Sequence, residues 1–239
     1  MLEPIEEALF WILQRLHGFV GDYGLAIIAL TILIRIILLP LTWKQTKSMY
    51  ELQRIQPKIK ALQEKYKKDK EKLQEETLKF YQENKVNPFG GCLPLLLQMP
   101  IFFALFRMLG TTGTKPGLFP EYIASLPEAA ADAASRFWIV LPDITMSASQ
   151  VYKASGIGPA LPYIVFVALF GLSTLLPQLM QPGVQAQQKQ MAIMMGGMML
   201  FFGWSVSGGV VLYWVTQGLL GVSQQQVQTR LYKAQEEHA

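Results

Sequence analysis

This sequence is short of charge. Asp, Glu, Lys and Arg make up 16% of its 239 residues, where soluble domains carry about a quarter. The chain therefore reads as an integral membrane protein. Cysteine is nearly absent: Cys92 stands alone, which excludes an internal disulfide framework. It follows two glycines in the manner of a lipid-attachment box, but far from the N-terminus, and reads as an ordinary small apolar residue. Histidine is limited to His17 and His238, both outside the apolar stretches. Asp22, in the GDY at 21–23, has no second aspartate within a span. An intramembrane protease would need a nucleophile–base pair or paired aspartates, and neither is present. The net charge of +4 arises from one basic region, so no specific nucleic-acid recognition is expected.

Long apolar runs are what the chain does have. Several approach the ~20 residues that cross ~30 Å of hydrocarbon. Residues 1–22 precede them and begin acidic, against the signal-peptide pattern. Leu9, Ile12, Leu13, Leu16 and Val20 recur at helical spacing, with Glu6, Glu7, Gln14, Arg15 and His17 at polar positions. Phe10 and Trp11 suit an interface. This predicts an amphipathic helix lying on the outer membrane surface. The first span covers 24–42, GLAIIALTILIRIILLPLT. Residues 44–85 then hold twelve Lys or Arg interleaved with acids. They predict a helical hairpin outside the bilayer, turning at Lys67–Asp69, with Pro57 kinking or restarting its first helix.

The second span covers 92–109, with Pro94 in its first turn and Pro100 inside. A loop follows at 110–156, whose FWIVLP piece is expected to dip into the interface, since Trp favours that depth. The third span covers 160–180. The last two, 191–206 and 210–222, are separated only by Ser207, Gly208 and Gly209. They predict a tight transmembrane hairpin of short spans, which would thin the bilayer or draw water inward. The methionine-rich run MAIMMGGMMLFF is either an adaptable surface or ordinary apolar filler. Residues 223–239 read as a short tail. Basic residues near span ends favour the cytoplasm. The 44–85 hairpin, with twelve against three in the 110–156 loop, is therefore cytoplasmic, with the C-terminus beside it and the N-terminus outside.

Arg35 breaks the apolar pattern. It lies seven residues before Thr42, about 10 Å inside the span at ~1.5 Å per residue. An arginine at a helix centre costs ~2.5–3.5 kcal/mol on insertion scales. No Asp or Glu falls in any span, so a salt bridge within the bilayer is excluded. Water and neutral polar groups remain. Thr31 is one turn before Arg35 on the same face. Gln98 sits midway along the second span, and Ser205, Ser207, Tyr213, Trp214, Thr216 and Gln217 lie in or beside the last two. Their convergence would line a wet cavity open to the cytoplasm. The plain alternative is that Arg35 snorkels to lipid phosphate.

These residues also resemble a known family. The pattern T-x-x-x-R-x-x-x-x-P-L-T at 31–42 is similar to the groove-lining first core helix of YidC/Oxa-type membrane protein insertases. LQRIQPKIKALQEKY at 52–66 resembles their cytoplasmic hairpin. VNPFGGCLPLLLQMPIFFALFRML at 86–109 is the most specific match, and FFGWSVSGGVVLYWVTQ at 201–217 resembles their final hairpin. The resemblance covers residues 5–228 in the same order. It implies an all-α membrane protein with five transmembrane helices around a hydrophilic groove, open to cytoplasm and lipid and closed outside. It implies no enzyme activity, no cofactor and no metal. Its function would be to insert and fold small membrane proteins, alone or beside the Sec translocon, in a bacterial plasma membrane.

Carried over by position, the groove residues are Thr31, Arg35, Gln98, Met99, Tyr213 and Trp214. Implied partners are nascent membrane proteins, the lipid bilayer, the Sec translocon, and the ribosome through the basic hairpin. The large periplasmic domain of Gram-negative relatives and the long basic tail of mitochondrial ones have no counterpart here, which matches the short bacterial form. The main rival is a transporter or channel with a charged midplane site. It usually requires coupling-ion ligands or repeated halves, and no intramembrane acid or clear repeat is found.

Overall fold

A computed structural model describes residues 2–84, 86, 93–112, 115–180 and 186–237. The architecture is all-helical. Helix α1 spans Glu3–Val20, with Pro4 in its first turn, where a missing N–H costs nothing. It stops at Gly21, whose φ of 73° suits glycine. Asp22 then opens α2, Tyr23–Lys65, by accepting from the Leu25 N–H at 2.9 Å.

Helix α2 runs for 43 residues without a break. The change from apolar to basic at residue 43 alters what the helix faces and not its backbone. Pro57 neither ends nor restarts it. Leu, Gln, Lys, Ala and Glu around the proline are good helix formers, and the ladder continues on both sides of the lost bond. A turn at 66–69 leads to α3, Lys70–Glu83, capped by Asp69. Ile55, Ile59 and Val86, with Leu52, Phe80 and Tyr81, form the small core that holds this hairpin together.

Helix α4 spans Leu93–Leu109, with Pro100 inside. Residues 110–112 and 115–156 are folded rather than a loose loop. Strand β1, Thr111–Thr112, pairs antiparallel with β2, Lys115–Pro116. Helices α5 (Leu118–Ser125), α6 (Glu128–Ser135) and α7 (Ala148–Ser155) follow, the last opened by a Ser147–Gln150 capping box. Phe137 and Leu141 are buried, but Trp138 and Ile139 between them point outward.

Helix α8 spans Ile157–Met180, α9 spans Ala186–Ser205 and α10 spans Gly208–Glu237. As helices, α9 and α10 are 20 and 30 residues long, longer than the apolar runs 191–206 and 210–222 that they contain. Glutamines at 187–190 and 224–228 carry the helices beyond their apolar runs. Residues 223–237 are the second half of α10 and not a separate tail. Among the described residues, Tyr23–Leu52 and Ile157–Leu176 are long and apolar enough to cross a membrane, and Gln98–Leu109 is a shorter apolar stretch.

The main core lies where α1, the folded 110–156 segment and the α9–α10 turn meet. Leu13, Ile27, Leu30, Leu105, Met108, Phe119, Leu141 and Ile144 are buried there. Backbone bonds close the junction: Gly208 N–H donates to Met146 O at 2.8 Å and Gly209 N–H to Ile144 O at 2.7 Å. Ser207 Oγ donates to Leu109 O at 3.1 Å. Leu9 and Leu13 of α1 pack onto this core. Glu6, read from sequence as part of a polar face, is instead buried and 3.2 Å from Arg107 Nε. The helix spacing was right, but the ion partner 101 positions away was invisible to it.

Candidate functional site

Arg35 sits on the face that α2 turns toward α10. Helix α10 meets it with Tyr213 and Gln217, one turn apart and so on one face. Arg35 Nε donates to Gln217 Oε1 at 2.9 Å, and Nη2 donates to the Gln217 carbonyl oxygen at 2.6 Å. Both acceptors are neutral. Among the described residues no carboxylate pairs with Arg35. Glycine at 221 makes room for the bond, since a Cβ there would stand 2.7 Å from Nη2.

Helix α4 adds the third side. Gln98 Nε2 donates to the Tyr213 hydroxyl at 3.1 Å. Tyr213 is buried, at 3% exposure, and close enough to Arg35 to interact electrostatically. The structure therefore brings Arg35, Gln98, Tyr213 and Gln217 together across α2, α4 and α10. Thr31 lies one turn from Arg35 but is fully buried. Its hydroxyl donates back to Ile27 O at 2.7 Å. Met99 is exposed on α4.

Trp214 is turned roughly 100° around α10 from Tyr213. Its ring packs 5.1 Å from Phe102 and 5.3 Å from Phe170. It fills the gap between α4 and α8 rather than joining the arginine. Its buried indole N–H has no hydrogen-bond partner among the described residues. Ser205 and Ser207 lie at the far end of the bundle, where Ser207 is bonded to α4. The seryl candidates thus do not converge on Arg35.

On its other side Arg35 borders a groove of about 400 Å³ along the α2–α10 seam. Ile36, Leu39, Trp43 and Leu220 give it largely apolar walls, and Gln224 and Gln228 also line it. Gln224 Nε2 donates to Thr42 Oγ1 at 2.6 Å. Gln228 is 1% exposed, and both polar atoms of its amide lack partners among the described residues. Further along, Tyr232 lies over Tyr50 at 5.7 Å and its hydroxyl donates to Trp43 O at 3.4 Å. These contacts extend the arginine site into a polar seam. A signal for them exists in the sequence: positions 217, 224, 228 and 232 follow seven-four-four spacing, one helical face.

The arrangement is a polar constellation between helices, built around a cation with no counter-charge. It holds no nucleophile–base pair, and among the described residues no His, Cys, Asp and Glu cluster could hold a metal. The family model described as 60Kd inner membrane protein matches residues 15–236, and the chain belongs to that family. The family expected from the 31–42, 86–109 and 201–217 patterns is thus the family found. The chain is 34% identical over 236 residues to the membrane protein insertase YidC of Francisella tularensis subsp. novicida strain U112. That alignment covers 98% of this chain and 37% of the relative. The YidC of subsp. tularensis strain WY96-3418 matches equally well. A crystal structure of an active YidC insertase with its first transmembrane domain resolved gives a TM-score of 0.66 at 27% identity. It covers 92% of this chain and 45% of that one. The chain therefore spans less than half the length of these relatives.

Proposed function

We propose that this chain inserts small membrane proteins into a bacterial plasma membrane and assists their folding. One observation carries the reading: Arg35 is held by the neutral oxygens of Gln217 and, among the described residues, pairs with no acid. Its whole positive charge stays available to an incoming group. In this reading α2, α4, α8, α9 and α10 are five spans, with α1 outside and the α2–α3 hairpin in the cytoplasm. The charge excess at 44–85 supports that orientation.

The polar side chains of α2, α4 and α10 line a hydrated site around Arg35, reached from the cytoplasm along the α2–α10 seam, whose walls are largely apolar. The packed junction of α1, residues 137–147 and the α9–α10 turn seals the outer end. A client with one apolar helix and a short acidic outer tail brings the tail into this groove, which shortens its path through hydrocarbon. Arg35 attracts acidic groups there, where charge interactions are stronger than in bulk water. The client helix slides against α4 and α9, whose exposed Met99, Phe103, Met194, Met198 and Phe201 offer an apolar surface. Release of that helix into lipid completes the step. The hairpin captures the nascent chain, and the ribosome and Sec translocon are the partners that deliver it.

Reconstitution into liposomes tests the proposal. The purified chain should raise insertion of an acidic-tailed single-span client above that of empty vesicles. It should pass no small solute, which separates an insertase from a transporter or channel. Solute flux without insertion would reverse the assignment.

A further inference from the structure

Four large apolar side chains surround the entry to α2 and touch little of the protein. Phe19 is 88% exposed, Val20 40%, Trp138 68% and Ile139 100%. The first two end α1, and the other two form the tip of the 137–141 turn. Asp22 ties the pairs together. One carboxylate oxygen accepts from Leu25 N–H at 2.9 Å, and the other accepts from Trp138 N–H at 2.8 Å. The same residue therefore starts α2 and holds the tip against it. Phe137 lies across the first turn of α2, where a Cβ on Gly24 would run into its ring.

The tip is built to expose its side chains. Phe137 and Leu141 bond to each other through their backbones, Phe137 N–H to Leu141 O at 2.9 Å and Leu141 N–H to Phe137 O at 3.1 Å. Both side chains are buried. Trp138 has φ of 47°, a left-handed conformation uncommon for a bulky residue. A strained turn that buries its flanks and projects a tryptophan and an isoleucine outward needs something outside the chain to receive them. The patch surrounds the first turn of the longest apolar helix, so the surface continuous with it is the bilayer around α2. Tryptophan also favours the headgroup depth.

We propose that Phe19, Val20, Trp138 and Ile139 form an anchor in the outer-leaflet interface, and that Asp22 transmits its depth to α2. This rests on the reading of α2 as a span with its N-terminal end outside. Arg35 lies twelve residues beyond Tyr23, so the anchor holds it about 18 Å below that interface at ~1.5 Å per residue. The anchor thereby sets how deep the cation sits.

The test uses the full chain with Cys92→Ser, in vesicles of phosphatidylethanolamine and phosphatidylglycerol. Spin labels are placed singly at Ile139→Cys, Glu128→Cys and Ile37→Cys, the last exposed and outside the groove lining, and their access to oxygen and to a water-soluble nickel chelate is compared. The Ile139 label should show an oxygen-to-nickel ratio several-fold above that of the Glu128 label on α6. An Ile139 label as wet as Glu128, beside an Ile37 label in lipid, overturns the anchor and leaves the span intact. A wet Ile37 label overturns the span itself. An Ile139 label closed to both reagents places the tip against protein and also overturns the lipid anchor. Combining Trp138→Ser and Ile139→Ser, or introducing Asp22→Ala, should shift the depth of the Ile37 label. An unchanged depth in both variants removes the depth-setting role.

Discussion

A guanidinium bonded to one amide side chain and one carbonyl keeps its full charge, and this decides how Arg35 should respond to substitution. Arg35→Lys retains the charge but loses the forked contact to Gln217, and a mild loss of insertion is expected. Arg35→Ala should lower insertion further. Arg35→Glu should be worst for acidic-tailed clients, and least harmful for neutral ones. Equal insertion by all three in liposomes removes the charge from the mechanism. Arg35 makes two charged hydrogen bonds of about 1.5–3 kcal/mol each, which together match or exceed the ~2.5–3.5 kcal/mol cost of placing arginine at a helix centre. Arg35→Ala should therefore lower stability to unfolding in detergent modestly while insertion falls.

His17 offers a second test at this scale. Its ring stacks on Tyr23 at 3.8 Å. Burial lowers its pKa from the usual 6.5, with Asp22 opposing the shift. The folded chain then binds its proton less readily than the unfolded one. The contribution of the neutral ring to stability is present above pH 6.5 and lost as pH falls through the lowered value. An NMR titration of His17 should give a midpoint below 6.5 that rises in Tyr23→Ala. Arg35, Gln98 and Tyr213 were legible in the sequence because each is polar within an apolar run. The occupied hydroxyl of Thr31 and the apolar lodging of Trp214 were not. Which way a side chain turns depends on neighbours from distant parts of the chain.

At the scale of elements, α10 is where reading by hydropathy fell short. A polar stretch after an apolar one looks like a tail when composition is averaged. Here Gln224, Gln228 and Tyr232 instead lie along α2, and the helix continues to Glu237. Labels scanned from 223 to 234 should show a helical rhythm of mobility, with minima at 224, 228 and 232. A flat profile would return this segment to an unstructured tail. Gly221 provides a finer probe of the α2–α10 contact. Gly221→Ala adds one methyl group 2.7 Å from Arg35 Nη2, and the flexible guanidinium must move aside. Insertion should drop, though less than in Arg35→Ala. Gly158→Ala, where no described atom lies within 4 Å, should have no effect. The Gln98–Tyr213 bond joins α4 to α10. A double-mutant cycle with Gln98→Leu and Tyr213→Phe should return a coupling of about 0.5–1.5 kcal/mol in unfolding.

At the scale of the whole molecule, packing is uneven from end to end. The fully buried residues cluster at the α1 end, and the seam beside Arg35 stays open. Hydropathy and spacing made the helices legible but not this asymmetry. It arises from bonds between residues far apart in sequence, such as Gly209 to Ile144 and Ser207 to Leu109. The fold of residues 110–156 was equally hidden, since β1 and β2 are two residues each and α5 to α7 eight each. Elements that short take their stability from the core they cover rather than from their own periodicity.

Helix α2 has one mechanical consequence. At ~1.5 Å per residue its 43 residues make a rod about 65 Å long, with a basic hairpin at one tip and Arg35 partway along. A helix continuous from one tip to the other couples the hairpin to the arginine mechanically. A sideways load on the hairpin would tilt Arg35 against Gln217, with Pro40 and Pro57 as the points of least stiffness along the way.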